Sequence, residues 1–184
     1  QYADICVTSS NAVDIVKKLP NKNIYFIPDK NLGSYVAEQV PEKHVILNDG
    51  YCYVHNQVTK EQVEEIKSLK PGVEFLVHPE CPAEIVALAD YVGSTKGIIE
   101  YATKSDKKEF IIGTENGVIW ELQEKNPDKK FYVLPGGQTC ASMKKITLEK
   151  VRDCLKTGSG QVEVNEKLRE QSKLPLNRML ETAK

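Results

Sequence analysis

The 184-residue chain contains no basic block, no apolar run of membrane-spanning length and no glycine-rich phosphate loop. Each absence removes a class of function. Its 25 Lys and Arg stand against 26 Asp and Glu, a net charge of −1, which speaks against an electrostatic nucleic-acid binder. No apolar stretch nears the roughly 20 residues that a membrane helix needs, and no secretory pattern is visible. Neither G-x-x-x-x-G-K-[ST] nor G-x-G-x-x-G occurs, so Gly158-Ser159-Gly160 reads as a flexible turn. C-x-x-C spacing is missing too. The five cysteines (Cys6, Cys52, Cys81, Cys140, Cys154) are odd in number and widely spaced, unlike a secreted disulfide framework. A reducing cytoplasm is the expected setting, with some thiols available for metal or catalysis. Cys6 and Cys154, each among apolar neighbours, are expected to pack. Because the chain opens on Gln1 directly into a structured-looking segment, it reads as a piece of a longer protein.

What is present is alternation. Short apolar runs end in polar turns at Ile5–Val7, Ile24–Ile27, Val45–Leu47, Val73–Val77, Tyr91–Val92, Phe110–Ile112 and Phe131–Leu134. Amphipathic stretches lie between them, one from about Asn11 to Leu19 and another opened by Thr59-Lys60-Glu61-Gln62, a capping-box pattern. Strands alternating with helices predict α/β architecture with parallel sheets. Towards the C-terminus, Asn165 is expected to cap a helix that Pro175 interrupts or kinks.

The pattern also repeats. Ala3-Asp4 recurs as Ala89-Asp90, and Ser9 falls on Thr95 and Asp29 on Glu115 at the same shift of 86. Cys52 falls on Cys140, and Thr59-x-Glu61-x-Val63 on Thr147-x-Glu149-x-Val151, both at 88. Two α/β copies are therefore expected, over residues 1–87 and 88–184. The repeat puts Cys52 and Cys140 at matching turns after matching strands. Two thiols leave a cluster or structural metal site short of ligands, and a further copy with its own cysteine would lie upstream.

Chemistry concentrates at Phe75-Leu76-Val77-His78-Pro79-Glu80-Cys81-Pro82, where an apolar run stops at a crowded turn. Ligands of open α/β sheets bind beyond the carboxyl ends of the strands. His78 and Glu80 share this rigid turn and can bind a dicarboxylate or move protons. Cys81 beside His78 raises a nucleophile reading, but neighbours on a tight turn rarely face one another, and a buried cysteine is expected instead. Ser9 and Thr95 open matching helices, where they either cap or help hold an anion. His55, three residues after Cys52, is placed behind a metal ligand; His44 reads as ordinary surface.

Taken together, Val7-Thr8-Ser9-Ser10-Asn11-Ala12, Pro28-Asp29-Lys30-Asn31-Leu32, Gly50-Tyr51-Cys52-Tyr53-Val54-His55, Val77-His78-Pro79-Glu80-Cys81-Pro82 and Met143-Lys144-Lys145-Ile146-Thr147-Leu148 resemble the quinolinate synthase (NadA) family. The resemblance covers essentially the whole chain, in order, as the second and third of three domains. It implies three repeated three-layer αβα domains around a pseudo-threefold axis, with a 4Fe-4S cluster in the central cleft. Cys52 and Cys140 would be two of three cysteine ligands, the third upstream. Cys140-Ala141-Ser142-Met143 lacks the C-x-x-C-x-x-C of longer members. The implied reaction condenses iminoaspartate with dihydroxyacetone phosphate to quinolinate, for de novo NAD biosynthesis. His78 and Glu80 would bind substrate and assist proton transfer, while Ser9 and Thr95 would hold its carboxylates or phosphate. L-aspartate oxidase or aspartate dehydrogenase would be the functional partner. A chain lacking its first domain should be inactive alone. The rival readings are a stand-alone α/β ligand-binding module and a cysteine hydrolase built on Cys81 and His78.

Overall fold

The computed structural model describes residues 2–184. Its elements, in chain order, are α1 (Ala12–Lys18), β1 (Asn23–Phe26), α2 (Lys30–Gln39), β2 (His44–Leu47), α3 (Tyr53–Asn56), α4 (Lys60–Leu69), β3 (Glu74–Val77), α5 (Ala83–Val86), β4 (Tyr91–Val92), α6 (Thr95–Lys104), β5 (Glu109–Gly113), α7 (Val118–Lys125), β6 (Lys130–Val133), α8 (Leu148–Thr157) and α9 (Glu166–Thr182). A 3-10 turn at Met143–Lys145 precedes α8. The chain divides into two compact units: Thr8–Thr139, and the residues up to Val7 together with Cys140–Lys184.

Among the described residues all strand pairing lies in the larger unit and is parallel, as the alternation of strand and helix requires. β1 pairs β2, and a second sheet runs β4-β3-β5-β6. The four-stranded sheet is covered on both faces because successive strand residues point to opposite sides. Phe75 and Val77 of β3 and Ile111 of β5 join Val63 and Ile66 of α4 and Ile85 of α5 in one core. Leu76, Phe110 and Ile112 join Ile98, Ile99 and Ala102 of α6 and Val118 and Leu122 of α7 in another. Helix, sheet, helix: the layer order is αβα. Continuous apolar runs such as Phe75-Leu76-Val77 are what a parallel strand buried on both faces demands. In the smaller sheet, α2 lies so close that a Cβ on Gly33 would meet Leu47 at 2.6 Å, while Tyr25 and Ile46 stay exposed.

Sheet pairing and the sequence repeat divide the chain at different points. β3 comes from the 1–87 copy yet pairs with β4 and β5. Thr59 and Thr147 nevertheless cap matching helices, accepting from the backbone N–H of Gln62 and Lys150 respectively.

Two expectations are corrected and a third is narrowed. Ile5–Val7 is not a strand; the Cys6 N–H donates instead to the Pro175 carbonyl at 3.1 Å. Cys154 is exposed, because the apolar stripe of α8 is uncovered among the described residues. Of the two expectations for Pro175, interruption is excluded, since its helix runs unbroken from Glu166 to Thr182. No helix among the described residues is long and apolar enough to cross a membrane.

Candidate active site

The site grows from the end of β3. His78 extends the pairing by one residue, its N–H donating to the Gly113 carbonyl at 3.1 Å. Close packing demands glycine at 113, where a Cβ would lie 2.7 Å from the Phe75 ring. Beyond His78 the chain turns sharply. The Cys81 N–H closes on the His78 carbonyl at 3.0 Å, and Pro82 opens α5 by accepting from Ile85 and Val86. Asn31 holds the turn from α2, its Nδ2 donating at 2.9 Å both to the Glu80 carbonyl and to Asn56 Oδ1.

Cys52 enters from a second strand end. It stands at the N-terminus of α3, and its own N–H donates to Asp29 Oδ2 at 2.7 Å. Asp29 Oδ1 meanwhile accepts from Leu32 at 2.8 Å, capping α2. One carboxylate thus ties the start of α2 to the turn that presents the thiol. Asp29 does this at φ 74°, alone among the described non-glycine residues in positive φ, a conformation of the kind that proteins retain at functional sites. The backbone N–H groups of His55 and Val54 donate to the Cys52 sulfur, but burial outweighs them and raises its pKa.

The two strand ends meet side chain to side chain. His55 Nδ1 donates to Glu80 Oε2 at 3.0 Å, and His55 Nε2 bonds to Thr114 Oγ1, also at 3.0 Å. The His55 ring stacks on His78 with centroids 4.5 Å apart. Ligand atoms of Cys52, His55 and Glu80 all lie within 4.8 Å of one another. For Glu80, burial works to raise the pKa, but hydrogen bonding by His55 and the nearby His78, His55 and Cys52 prevail and lower it. The group is a carboxylate near neutral pH. His78 is pushed down to about 4, by burial first and His55 second, against an opposing pull from Glu80. It is therefore a neutral imidazole. Its Nδ1 faces the Glu80 N–H at 3.3 Å and acts as acceptor, which leaves Nε2 as the protonated nitrogen.

The serine and threonine pair is not spent on capping. Asn11 is the N-cap of α1, and Ser94 is the N-cap of α6, its Oγ accepting from Gly97 at 3.1 Å. Ser9 lines a cavity of about 330 Å³ with Tyr35, Pro79, Tyr91 and Ser94; Thr95 is exposed beside it and does not line it. Pro79 therefore joins the two places, facing the cavity from the turn that carries His78 and Glu80. Cys81 is no nucleophile: it is buried in the core, its thiol meets the Gly113 carbonyl at 3.8 Å, and burial pushes its pKa far up. His44 is exposed against Asn23, as surface histidines are. In the smaller unit, Cys140 is half-buried and its carbonyl accepts from Lys144 at the 3-10 turn.

Sequence reading placed His78, Glu80 and Cys52 at strand ends, and the structure brings them together. It gave Asp29 no role beyond the repeat and set His55 behind the metal rather than against Glu80. Thr114 stands in the turn after another strand, where no local signal marks its bond to His55.

A family described as NadA, quinolinate synthetase A protein, matches residues 1–181. The chain is 55% identical over 179 residues to quinolinate synthase of Caldicellulosiruptor bescii, covering 97% of this chain and 59% of that protein. It is 50% identical over 182 residues to that of Fusobacterium nucleatum, covering 99% and 60%. It is 45% identical over 178 residues to quinolinate synthase 2 of Methanosarcina acetivorans, covering 97% and 57%. The chain thus spans about three fifths of the length of these relatives. With 181 residues matched and the histidine–carboxylate–thiol cluster at its strand ends, the chain belongs to the quinolinate synthase family.

Proposed function

We propose that this chain is part of a cytoplasmic enzyme that condenses iminoaspartate with dihydroxyacetone phosphate to quinolinate, in de novo NAD biosynthesis. The observation that carries the reading is the convergence of Cys52, His55 and Glu80 within 4.8 Å, with His78 stacked against them, in a chain of this family. In this reading residues 1–87 and 88–184 are two copies of an α/β domain, and a third copy lies outside the chain in a pseudo-threefold protein. Cys52 and Cys140 would be cysteine ligands of a 4Fe-4S cluster, with a third in the missing copy. Cys52 suits that role: N–H groups already point at its sulfur, and such bonds tune cluster thiolates. When bound, the cluster supplies a Lewis-acidic iron for a substrate oxygen.

The remaining work falls to the chain's own side chains. Glu80, ionised, accepts a proton from the condensing substrate. His78, neutral with its proton on Nε2, donates a hydrogen bond to a substrate oxygen rather than acting as an imidazolium acid. Ser9 and Thr95, free of capping duty, hold carboxylate or phosphate oxygens. The substrate would come from an enzyme that oxidises aspartate, such as L-aspartate oxidase or aspartate dehydrogenase.

The test is anaerobic reconstitution with iron and sulfide, followed by quinolinate assay. This chain joined to the segment that completes its relatives should turn over, and the 184-residue chain alone should not. Turnover by the chain alone, or none in the completed protein, overturns the reading. In the completed protein, Cys52→Ser and Cys140→Ser should abolish the cluster's visible absorbance. His78→Ala and Glu80→Gln should keep it and lose about 100-fold or more in kcat, as general acid–base groups do.

A further inference from the structure

We propose that His55 is a positioning residue for Glu80: its Nδ1–H holds the carboxylate in place, and Thr114 fixes the His55 ring through Nε2. This rests on the catalytic reading of Glu80 above. The three groups come from three elements. His55 lies in α3, Glu80 in the turn after β3, and Thr114 immediately beyond β5. Both ring nitrogens are engaged at 3.0 Å, and the side chain is 9% exposed. A carboxylate only accepts, so Nδ1 carries a proton whatever the charge on the ring. The Thr114 hydroxyl can donate to a neutral ring or accept from a charged one, so it secures the orientation in either state.

The stacked partner has the opposite arrangement. His78 Nδ1 accepts from the Glu80 backbone, and its own contact with the Glu80 carboxylate is 3.9 Å. Without His55, Glu80 Oε2 would lose its 3.0 Å donor, and His78 Nδ1, itself an acceptor at 3.9 Å, could not replace it. An angstrom of misplacement in a reacting group is enough to cost about 100-fold in rate. His55 need not touch substrate to matter.

Two measurements test this. The first uses the chain as it stands. Long-range proton–nitrogen NMR reads each imidazole tautomer, and with three histidines the signals are assigned from His44→Gln and His78→Gln. His55 should show a protonated Nδ1; a bare or metal-bound Nδ1 overturns the proposal. The second uses the completed, reconstituted enzyme. His55→Leu, which keeps bulk without a donor, should lower kcat about 100-fold with KM within about 3-fold, the size expected of lost orientation. His55→Asn, which returns an N–H near the Nδ1 position, should recover at least about 10-fold of that loss. If kcat of the leucine variant stays within about 2-fold of wild type, or asparagine does no better than leucine with cluster absorbance intact, the proposal fails. Should the leucine variant not fold, Thr114→Val decides: kcat lower by about 10-fold supports the role, and a change under about 2-fold overturns it. Absence of turnover in the unmutated enzyme would count against the catalytic reading, while the tautomer measurement would still decide the His55–Glu80 bond.

Discussion

Two helices show how much of this molecule is local and how much is not. α4 and α8 both begin after a capping threonine, Thr59 and Thr147, and both carry an apolar stripe. On α4 the stripe is buried, with Val63 at 0% and Ile66 at 8% exposure. On α8 it is bare, with Leu148 at 85%, Val151 at 44% and Leu155 at 83%. The segments that come after the two helices differ in the same way. Glu74–Val77 forms β3 between β4 and β5, whereas Val162–Val164 pairs with nothing among the described residues. A helix satisfies its own backbone and needs only a cap to start. A parallel strand needs a neighbour to exist at all. α4 has the four-stranded sheet to pack on. In the proposed three-domain protein, the missing copy would offer α8 the same kind of surface.

The largest predicted effect breaks or keeps this contrast outright. Val63→Asp should cost about 4 kcal/mol or more, because it buries a charge with no partner in the sheet core. Leu155→Asp in the same chain should change stability by less than about 0.5 kcal/mol, as exposed substitutions do. Urea unfolding monitored by circular dichroism measures both. Equal sensitivity would mean that α8 is covered in solution.

A second prediction uses pH. All three histidines belong to the unit that contains α4. The folded pKa of His78, about 4, lies below its ordinary 6.5, so the unfolded chain binds the proton more readily between those values. Stability from this group is complete above pH 6.5 and falls as pH drops towards 4, by about 3 kcal/mol in all. Glu80 adds to the loss from lower pH, since its lowered pKa confers stability above the ordinary carboxylate value that disappears on protonation. Urea midpoints between about pH 7 and pH 4 should show the decline. His78→Asn should remove most of it above about pH 4.5, and an unchanged profile would mean that the imidazole is not buried neutral.

The same division governs what could be read from the sequence. Strand and helix order, the parallel class and the strand-end turn at His78-Pro79-Glu80 were legible, because period, capping and turn chemistry are short-range signals. Cys81 was rightly placed in the core. Ile5–Val7 has the composition of a strand but no strand to pair with among the described residues, and composition does not reveal such a partner. Cys154 sits on an apolar face that nothing covers among the described residues, so the helical pattern was right and the burial inferred from it was not. Asp29, Asn31 and Thr114 escaped because their roles arise across 23, 49 and 59 residues of chain, to Cys52, Glu80 and His55 respectively. No local pattern marks such a pairing. The spacing of His55 from Cys52 suggests a place behind a metal ligand, whereas its bonds run to Glu80 and Thr114.

The smallest effect returns to the caps. Thr59→Ala and Thr147→Ala each remove a side-chain acceptor from a helix N-terminus, worth about 1 kcal/mol. Thr59 is the more embedded of the two. Its backbone N–H also donates to Gln62 Oε1 at 2.9 Å, and Gln62 Nε2 reaches the Pro135 carbonyl at 2.8 Å. α4 is moreover locked to the sheet core by Val63 and Ile66. Losing the Thr59 cap should therefore lower the urea midpoint without changing the helix content of the folded protein. Losing the Thr147 cap should leave that midpoint nearly unmoved and reduce the far-ultraviolet helix signal before any unfolding, since α8 has little packing to hold its first turn. If both variants behaved as Thr59→Ala should, α8 would share the cooperative unit of α4, and the contrast between the two helices would be one of exposure alone.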